Sequence, residues 1–335
     1  MTNPGIRSNT WGIRKDFPLA KMTANETDSS RHSIDPFFAV FSRWAPGHNR
    51  VLTAILAILL LIASTLHGAI PPISTYDSEA RDWAKVRIPA VTNTVTDLEY
   101  TIATELLQWM KSRGIRSRVK RMGIYLGSGL QSCRKPLIAD TGPLSVTDTD
   151  TLISFVDGDY TVNGLTGNTT TKVITTDIQL GSFGSGFNHH VAVYNRTSGA
   201  LNAIFEIGVG SVAANNVTQI AVNYTGLGTY YQDSITDYCN VAEASGVGFY
   251  LGSATASNSA IIYKNGVSHC SFSAPGSEAP YGGVFIHGRN NNGVQDSFSN
   301  RQLCFYSIGL GMSPTVQQSY YLGVQNAQRR RGRAL

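Results

Sequence analysis

Charge is scarce in this chain: Asp, Glu, Lys and Arg make up 15% of its 335 residues. With 33 glycines and 15 tyrosines beside so few charges, the composition is that of a folded β protein with many short strands and tight turns, and a disordered chain is excluded. Cysteine is sparse as well. Cys133, Cys239, Cys270 and Cys304 are scattered without CxxC or Cys/His zinc spacing, so they set no compartment and are expected as buried free thiols. There is no Ser/His/Asp elbow, no phosphate-cradling glycine loop and no Cys/His nucleophile arrangement. The Gly-rich pieces Gly181–Gly186 and Gly226–Gly228 precede no helix and lack a lysine, so they read as turns. No internal repeat and no strand-helix-strand alternation is visible, which argues against a doubly wound fold.

What charge there is lies unevenly. Between Pro136 and Gln328 twelve acids face five bases, whereas Lys111 to Lys135 holds eight bases and no acid, and Arg329 to Arg331 with Arg333 closes the chain. Such runs suit nucleic acid or anionic lipid, but solvated flanks of an acidic domain are the plainer reading, and nucleic acid is not an expected partner. The sequons at Asn25, Asn168, Asn195, Asn216 and Asn223 are about as many as chance gives in a chain this rich in Asn, Ser and Thr.

In chain order, residues 1–50 are polar, mixed in charge and broken by prolines, the pattern of a flexible tail. Residues 51–70 then run twenty positions without Asp, Glu, Lys or Arg before Pro71-Pro72, enough for a helix to span a bilayer core. A transmembrane helix is expected there, with the tail inside and the rest outside on grounds of function, because the flanking bases give no clear vote. In the stretch 71–114 a polar linker ends at Ile88-Pro89, and an amphipathic helix follows. Its face carries Val95, Leu98, Ile102, Leu106 and Trp109 or Met110, with acids early, bases late and Gly114 as C-cap. That helix suits either packing on the following domain or a stalk that makes a homo-oligomer.

From residue 115 to 328 strand candidates recur: Met122–Gly127, Leu152–Val156, Lys172–Leu180, His190–Tyr194, Ala203–Val209, Val217–Tyr224 and Val247–Gly252. Ser259–Lys264 follows, and Asn265-Gly266 is the pair best suited to the positive φ angles of a two-residue hairpin turn. Gly283–His287 and Gln302–Ile308 come next. Ser313-Pro314 opens a closing helix on which Val316, Tyr320, Val324 and Ala327 share one stripe, and residues 329–335 form a basic tail.

The run Met122–Cys133 with Pro136-Leu137, Phe155–Tyr160, Gly164–Asn168, Tyr263–Gly266 and Tyr306–Gly311 before the Ser313 helix resembles the concanavalin A-like, laminin-G-like jelly rolls of bacteriophage structural and bacterial surface proteins. The resemblance covers about residues 116–328. It implies two antiparallel sheets in a curved sandwich, a carbohydrate- or protein-binding role in many members and calcium in some. Glucanases of that fold carry Glu-x-Asp-x-Glu on one strand, so that the acids face one groove. This chain lacks it: Glu206 and Asp177 each stand alone.

Asp148, Asp150, Asp157 and Asp159 offer oxygens to calcium but lack the spacing of a dedicated loop, so no cofactor is expected, with calcium as the alternative. His189 and His190 are strand neighbours pointing to opposite faces, unfit to share an ion, and at least one is expected to be exposed. Recognition remains. On the polar loop Arg289 to Gln295, Arg289, Asn290, Asn291 and Asn292, with Tyr281 before them, offer amide hydrogen bonds and an aromatic platform for a sugar ring. The expectation is an all-β, antiparallel jelly-roll sandwich, preceded by a transmembrane and an amphipathic helix and closed by a C-terminal helix. It would bind glycan or a surface protein without enzymatic activity, on a membrane or a virion. A purely structural oligomerising component and a glycan-cleaving enzyme are the alternatives.

Overall fold

The computed structural model describes residues 76–90, 95–139, 149–183, 187–198, 204–212, 214, 216–224, 226–231, 238–256, 259–273 and 282–333. The expected tail, the apolar run 51–70 and Tyr281 lie outside them. Among the described residues no helix is long and apolar enough to cross a membrane.

Strands, numbered in chain order, form two sheets. One has eight strands in the order β13 (Val267–Phe272), β12 (Ser259–Lys264), β11 (Gly248–Ala256), β6 (His189–Asn195), β17 (Gln302–Gly309), β4 (Gly164–Thr166) and β3 (Tyr160–Thr161), with β1 (Val119–Gly123) also on β17. The other has nine: β10 (Tyr238–Ala242), β9 (Leu227–Tyr231), β8 (Asn216–Tyr224), β7 (Ile207–Ser211), β14 (Gly283–Ile286), β5 (Val173–Gln179) and β2 (Thr151–Ile153), plus the hairpin of β15 (Arg289–Asn291) and β16 (Val294–Asp296). Described pairings are antiparallel except β15 on β7. The result is a jelly-roll-like antiparallel sandwich.

Period-two alternation produces two cores. Val191 and Val193 of β6 and Tyr250 of β11 point between the sheets, toward Ile220, Val222 and Tyr230. Ala192 and Tyr194, with Phe249, Leu251 and Phe305, point the other way into a second core against helices. That core is closed by α1 (Ser78–Ala90), α2 (Asp97–Ser112) and α3 (Pro314–Arg330), through residues such as Trp83, Ile102, Leu106, Tyr320 and Val324. Strand β6 is therefore buried along its whole length.

The hairpin turn forms at Asn265-Gly266, with φ of 50° and 82°. Thr96 caps α2 in a reciprocal box with Glu99, and Gly114 follows its end at φ 67°. Its stripe differs from the expected one. Ile102, Ala103, Leu106, Leu107 and Met110 are buried in the chain's own second core, while Leu98 is 43% exposed because it lies off the face that meets the sheet. The expected linker is helical in α1, where Ala80, Trp83 and Ala84, at i, i+3 and i+4, are buried.

Two cysteines are not free thiols. Cys239 of β10 and Cys270 of β13 form a disulfide with Cα atoms 5.9 Å apart, joining the edge strand of one sheet to that of the other, while Cys133 and Cys304 are buried and free. Spacing alone could not pair residues that only sheet packing brings together.

The basic run is largely absorbed by internal partners instead of forming a solvated flank. Lys111 pairs with Asp77 and Glu79, Arg116 with Glu79 and Arg121 with Asp150, while Arg118 donates to the Gly311 carbonyl. The basic tail is anchored too. Arg331 pairs with Glu99, and the buried Arg333 donates to the carbonyls of Ile124, Tyr125 and Val162.

Candidate functional site

The outer face of the nine-stranded sheet carries a row of four residues set by register. Gly208 of β7 stands opposite Gln219 of β8, Gln219 opposite Tyr231 of β9, and Tyr231 opposite Tyr238 of β10. Directly opposed residues project to one side, and the alternate residues Ile207, Ile220, Tyr230 and Cys239 fill the inter-sheet core, so this row faces away from it. The Tyr231 and Tyr238 rings lie 5.2 Å apart, and Phe205 meets Tyr231 edge-on at 6.0 Å. Tyr238 is 48% exposed. Burial, with Tyr224 and Tyr238 nearby, raises the Tyr231 hydroxyl pKa against the pull of Arg289, so it stays protonated and able to donate.

Across this row lies Arg289. Its guanidinium sits 5.2 Å over the Phe205 ring, grips Asp296 through Nε and Nη2 at 2.8 Å each, and donates from Nη1 to Gln219 Oε1 at 3.1 Å. Asn291 Nδ2 donates to the same Asp296 Oδ2 at 2.9 Å, and its Oδ1 accepts from the Val212 amide. Gly208 makes the room. A Cβ there would stand 2.9 Å from Gln219 Cβ and 3.4 Å from Arg289 Cβ, too close for both to keep their places. The outcome is a preorganised planar network beside an aromatic pair, with the Asp296 side chain 31% exposed at its rim.

The expected loop residues therefore behave differently from one another. Arg289 and Asn290 are buried in strand β15, and Asn290 donates to the Gly283 carbonyl while accepting from the Gly293 amide. Asn291 is half-buried within the network. Asn292 is exposed at φ 53°, the left-handed corner of the β15–β16 turn. The amides expected to be free on a loop are thus mostly committed to holding it. Sequence reading missed Phe205, Gln219, Tyr231, Tyr238 and Asp296. The signal that could have found the two tyrosines is the alternation of Thr229 and Tyr231, then Tyr238 and Asn240, around core residues Tyr230, Cys239 and Val241, whereas Phe205, Gln219 and Asp296 carry no local signal.

No protein-family model matches the chain, and no curated protein matches it in sequence. Among solved structures, it is similar to domain 4 of AbnA, a GH43 extracellular arabinanase from Geobacillus stearothermophilus, in complex with arabinotriose, at 13% identity and TM-score 0.41 over 61% of this chain and 98% of that one. It is also similar to the CBM40 of a Ruminococcus gnavus IT-sialidase, at 10% identity and TM-score 0.36 over 47% and 96%. A third is the receptor binding domain of a botulinum neurotoxin C/D mosaic serotype, at 12% identity and TM-score 0.42 over 62% of this chain and 51% of that one.

Among the described residues, the carboxylates Asp150, Glu206 and Glu243 are buried in the interior. Asp150 is buried against Arg121 at 2.7 Å and the Tyr306 hydroxyl. Glu206 is buried, and burial pushes its carboxyl up to about 7 despite Arg301 at 3.4 Å, the Val222 amide at 2.7 Å and the Ser299 hydroxyl at 3.1 Å. Burial also raises Glu243, but hydrogen bonds from Lys264, Tyr250 and the Ser245 amide outweigh it and hold the group down at about 2.

The candidate calcium oxygens are not gathered. Asp150 is bound to Arg121, Asp159 to Lys172, Asp148 lies outside the described residues, and no cluster of three potential ligands occurs among the described ones. His189 and His190 do point to opposite faces, toward Thr218 and toward Leu310 and Ser307, yet both are buried, because both faces of the eight-stranded sheet are covered. A groove of about 700 Å³ between α2 and α3 is lined by Trp109, Leu322 and Gly323 beside the Glu105–Arg330 ion pair.

Proposed function

We propose that this chain is a non-enzymatic recognition module that binds glycan on the outer face of the nine-stranded sheet. Tyr238 and Tyr231 form the stacking platform, and Asp296, Asn291 and Asn292 supply hydrogen bonds at the rim. The observation that carries this reading is the register-fixed row Gly208–Gln219–Tyr231–Tyr238, in which a half-exposed tyrosine adjoins a rigid planar polar network. A sugar ring has an apolar C–H face and hydroxyls at its edge, and an aromatic ring beside planar acceptors answers both. Recognition without cleavage is favoured because Asp150, Glu206 and Glu243 are each buried and paired, out of reach of a bond laid across the row.

A glycan array followed by calorimetry tests the reading. Tyr238→Ala is expected to weaken binding by about tenfold or more, the scale of one aromatic anchor. A blank array from a protein that nevertheless shortens a polysaccharide would overturn it. We also propose that the sandwich works outside a membrane carried by residues 51–70, or on a virion. The Cys239–Cys270 bridge supports this, since disulfides persist in oxidising surroundings. Protease protection in sealed vesicles tests it: loss of the sandwich on external digestion is expected, and its full protection would reverse the orientation.

A further inference from the structure

Among the described residues Arg289 is the one base beside the aromatic row, and on composition alone it would serve as a receptor for acidic sugars. Its geometry says otherwise. Asp296 occupies the Nε–Nη2 edge of its guanidinium, Gln219 accepts from Nη1, and Phe205 covers its face. The side chain is 10% exposed, against 31% for Asp296, so the partner that meets solvent is the acid.

No other cation compensates within the sandwich. Of the five bases between Pro136 and Gln328, Lys172 is paired with Asp159, Lys264 with Glu243 and Arg301 with Glu206, each away from the row. The fifth, Arg196, follows β6 and pairs its backbone with Gln302 on the eight-stranded sheet. A ligand carboxylate brought to the rim would thus meet an exposed acid before a guanidinium that is nine-tenths buried and already paired along one edge, while its own desolvation went largely uncompensated.

We propose that the Arg289–Asp296 pair is a charge filter: the site takes neutral sugars and rejects those bearing a carboxylate, with Asp296 as the specificity-determining residue. This rests on the glycan-binding reading above. It adds that the site selects by exclusion, through an acid that holds its cation in place and presents its own charge outward.

The test is calorimetry on the full chain with three probes: a neutral hexose oligomer, a uronic acid oligomer and a sialylated oligosaccharide. The neutral probe should bind at least about tenfold more tightly than either acidic one, and the gap should narrow as salt is raised, since the exclusion is electrostatic. Asp296→Asn releases the guanidinium and should raise the acidic-to-neutral affinity ratio by about tenfold. An acidic probe bound as tightly as the neutral one, or a ratio unmoved by both salt and Asp296→Asn, would overturn the filter while leaving glycan binding intact. Silence from all three probes and from a broad array would instead remove the underlying reading. The salt series on the natural chain decides the matter even if Asp296→Asn fails to fold.

Discussion

The two outer faces of the sandwich start from the same alternation and end in opposite uses. On the eight-stranded sheet the outward aromatics Tyr194, Phe249 and Phe305 meet α3, where Phe249 and Tyr320 pack edge-on at 6.1 Å, amid a largely apolar cluster with Leu251, Tyr263 and Val324. On the nine-stranded sheet the outward aromatics Phe205, Tyr231 and Tyr238 have Gln219, Arg289 and Asp296 as companions, and Tyr238 reaches water. An aromatic surrounded by aliphatics becomes core once a helix covers it. One surrounded by planar polar groups keeps an unfilled valence toward solvent, and that company, more than the aromatic itself, separates a binding face from a packing face.

The contrast can be broken most forcefully at Phe249. Phe249→Ala should cost about 3–5 kcal/mol in chemical denaturation, because it empties a fully buried site, and should leave glycan specificity alone. Next comes the bridge between the sheets. Cys239→Ser, or reduction, removes a crosslink spanning 31 residues and should lower stability by about 3–4 kcal/mol, read as a denaturation midpoint under oxidising and reducing conditions.

The pH dependence follows from buried titrating groups. Burial holds the His190 and His287 imidazoles down at about 4 and about 3, so below 6.5 the unfolded chain takes up protons that the folded one refuses, and stability falls as pH falls. Glu206 acts in the opposite sense. Its folded carboxyl keeps a proton up to about 7 against 4.5 when unfolded, so its contribution is complete below 4.5 and lost as pH rises to 7. Two groups against one leave a net slope of about 1.4 kcal/mol per pH unit between 4.5 and 6.5 from these three, and Glu206→Gln should double it. A slope unchanged in that variant would show that Glu206 is ionised across the whole window.

Smaller effects sharpen the open face. Tyr238→Ala should change stability by no more than about 0.5 kcal/mol while weakening glycan binding, the reverse of Phe249→Ala. Asn292→Gly relieves a left-handed φ and should be neutral to slightly stabilising, by about 0.5 kcal/mol or less. Loss of glycan affinity in that variant would make Asn292 a ligand contact, whereas unchanged affinity would leave it as a turn residue.

Local rules made much of the frame legible. Asn265-Gly266, the β-branched and aromatic runs that became β5, β6, β8, β11 and β12, and the Ser313-Pro314 start of α3 each depend on a few adjacent residues. What escaped depends on distant ones. Gly226–Gly228 reads as a turn because its glycines hide the strand that β8 and β10 complete from either side. Arg289 reads as a loop cation because Asp296 and Gln219 are brought to it only by the β15–β16 hairpin and the β7–β8 ladder. The eight bases of Lys111–Lys135 look like a surface run until Asp77, Glu79 and Asp150 arrive from elsewhere in the chain.

The link between Cys239 and Cys270 also bears on how the molecule behaves in a crowd. β10 and β13 each end a sheet, and an unpaired strand margin invites another polypeptide to zip onto it. By tying these two margins to each other, the sulfur bond turns the open side of the sandwich into a seam. Neighbouring copies are thereby denied these two margins, and chains made where thiols stay reduced should clump more readily.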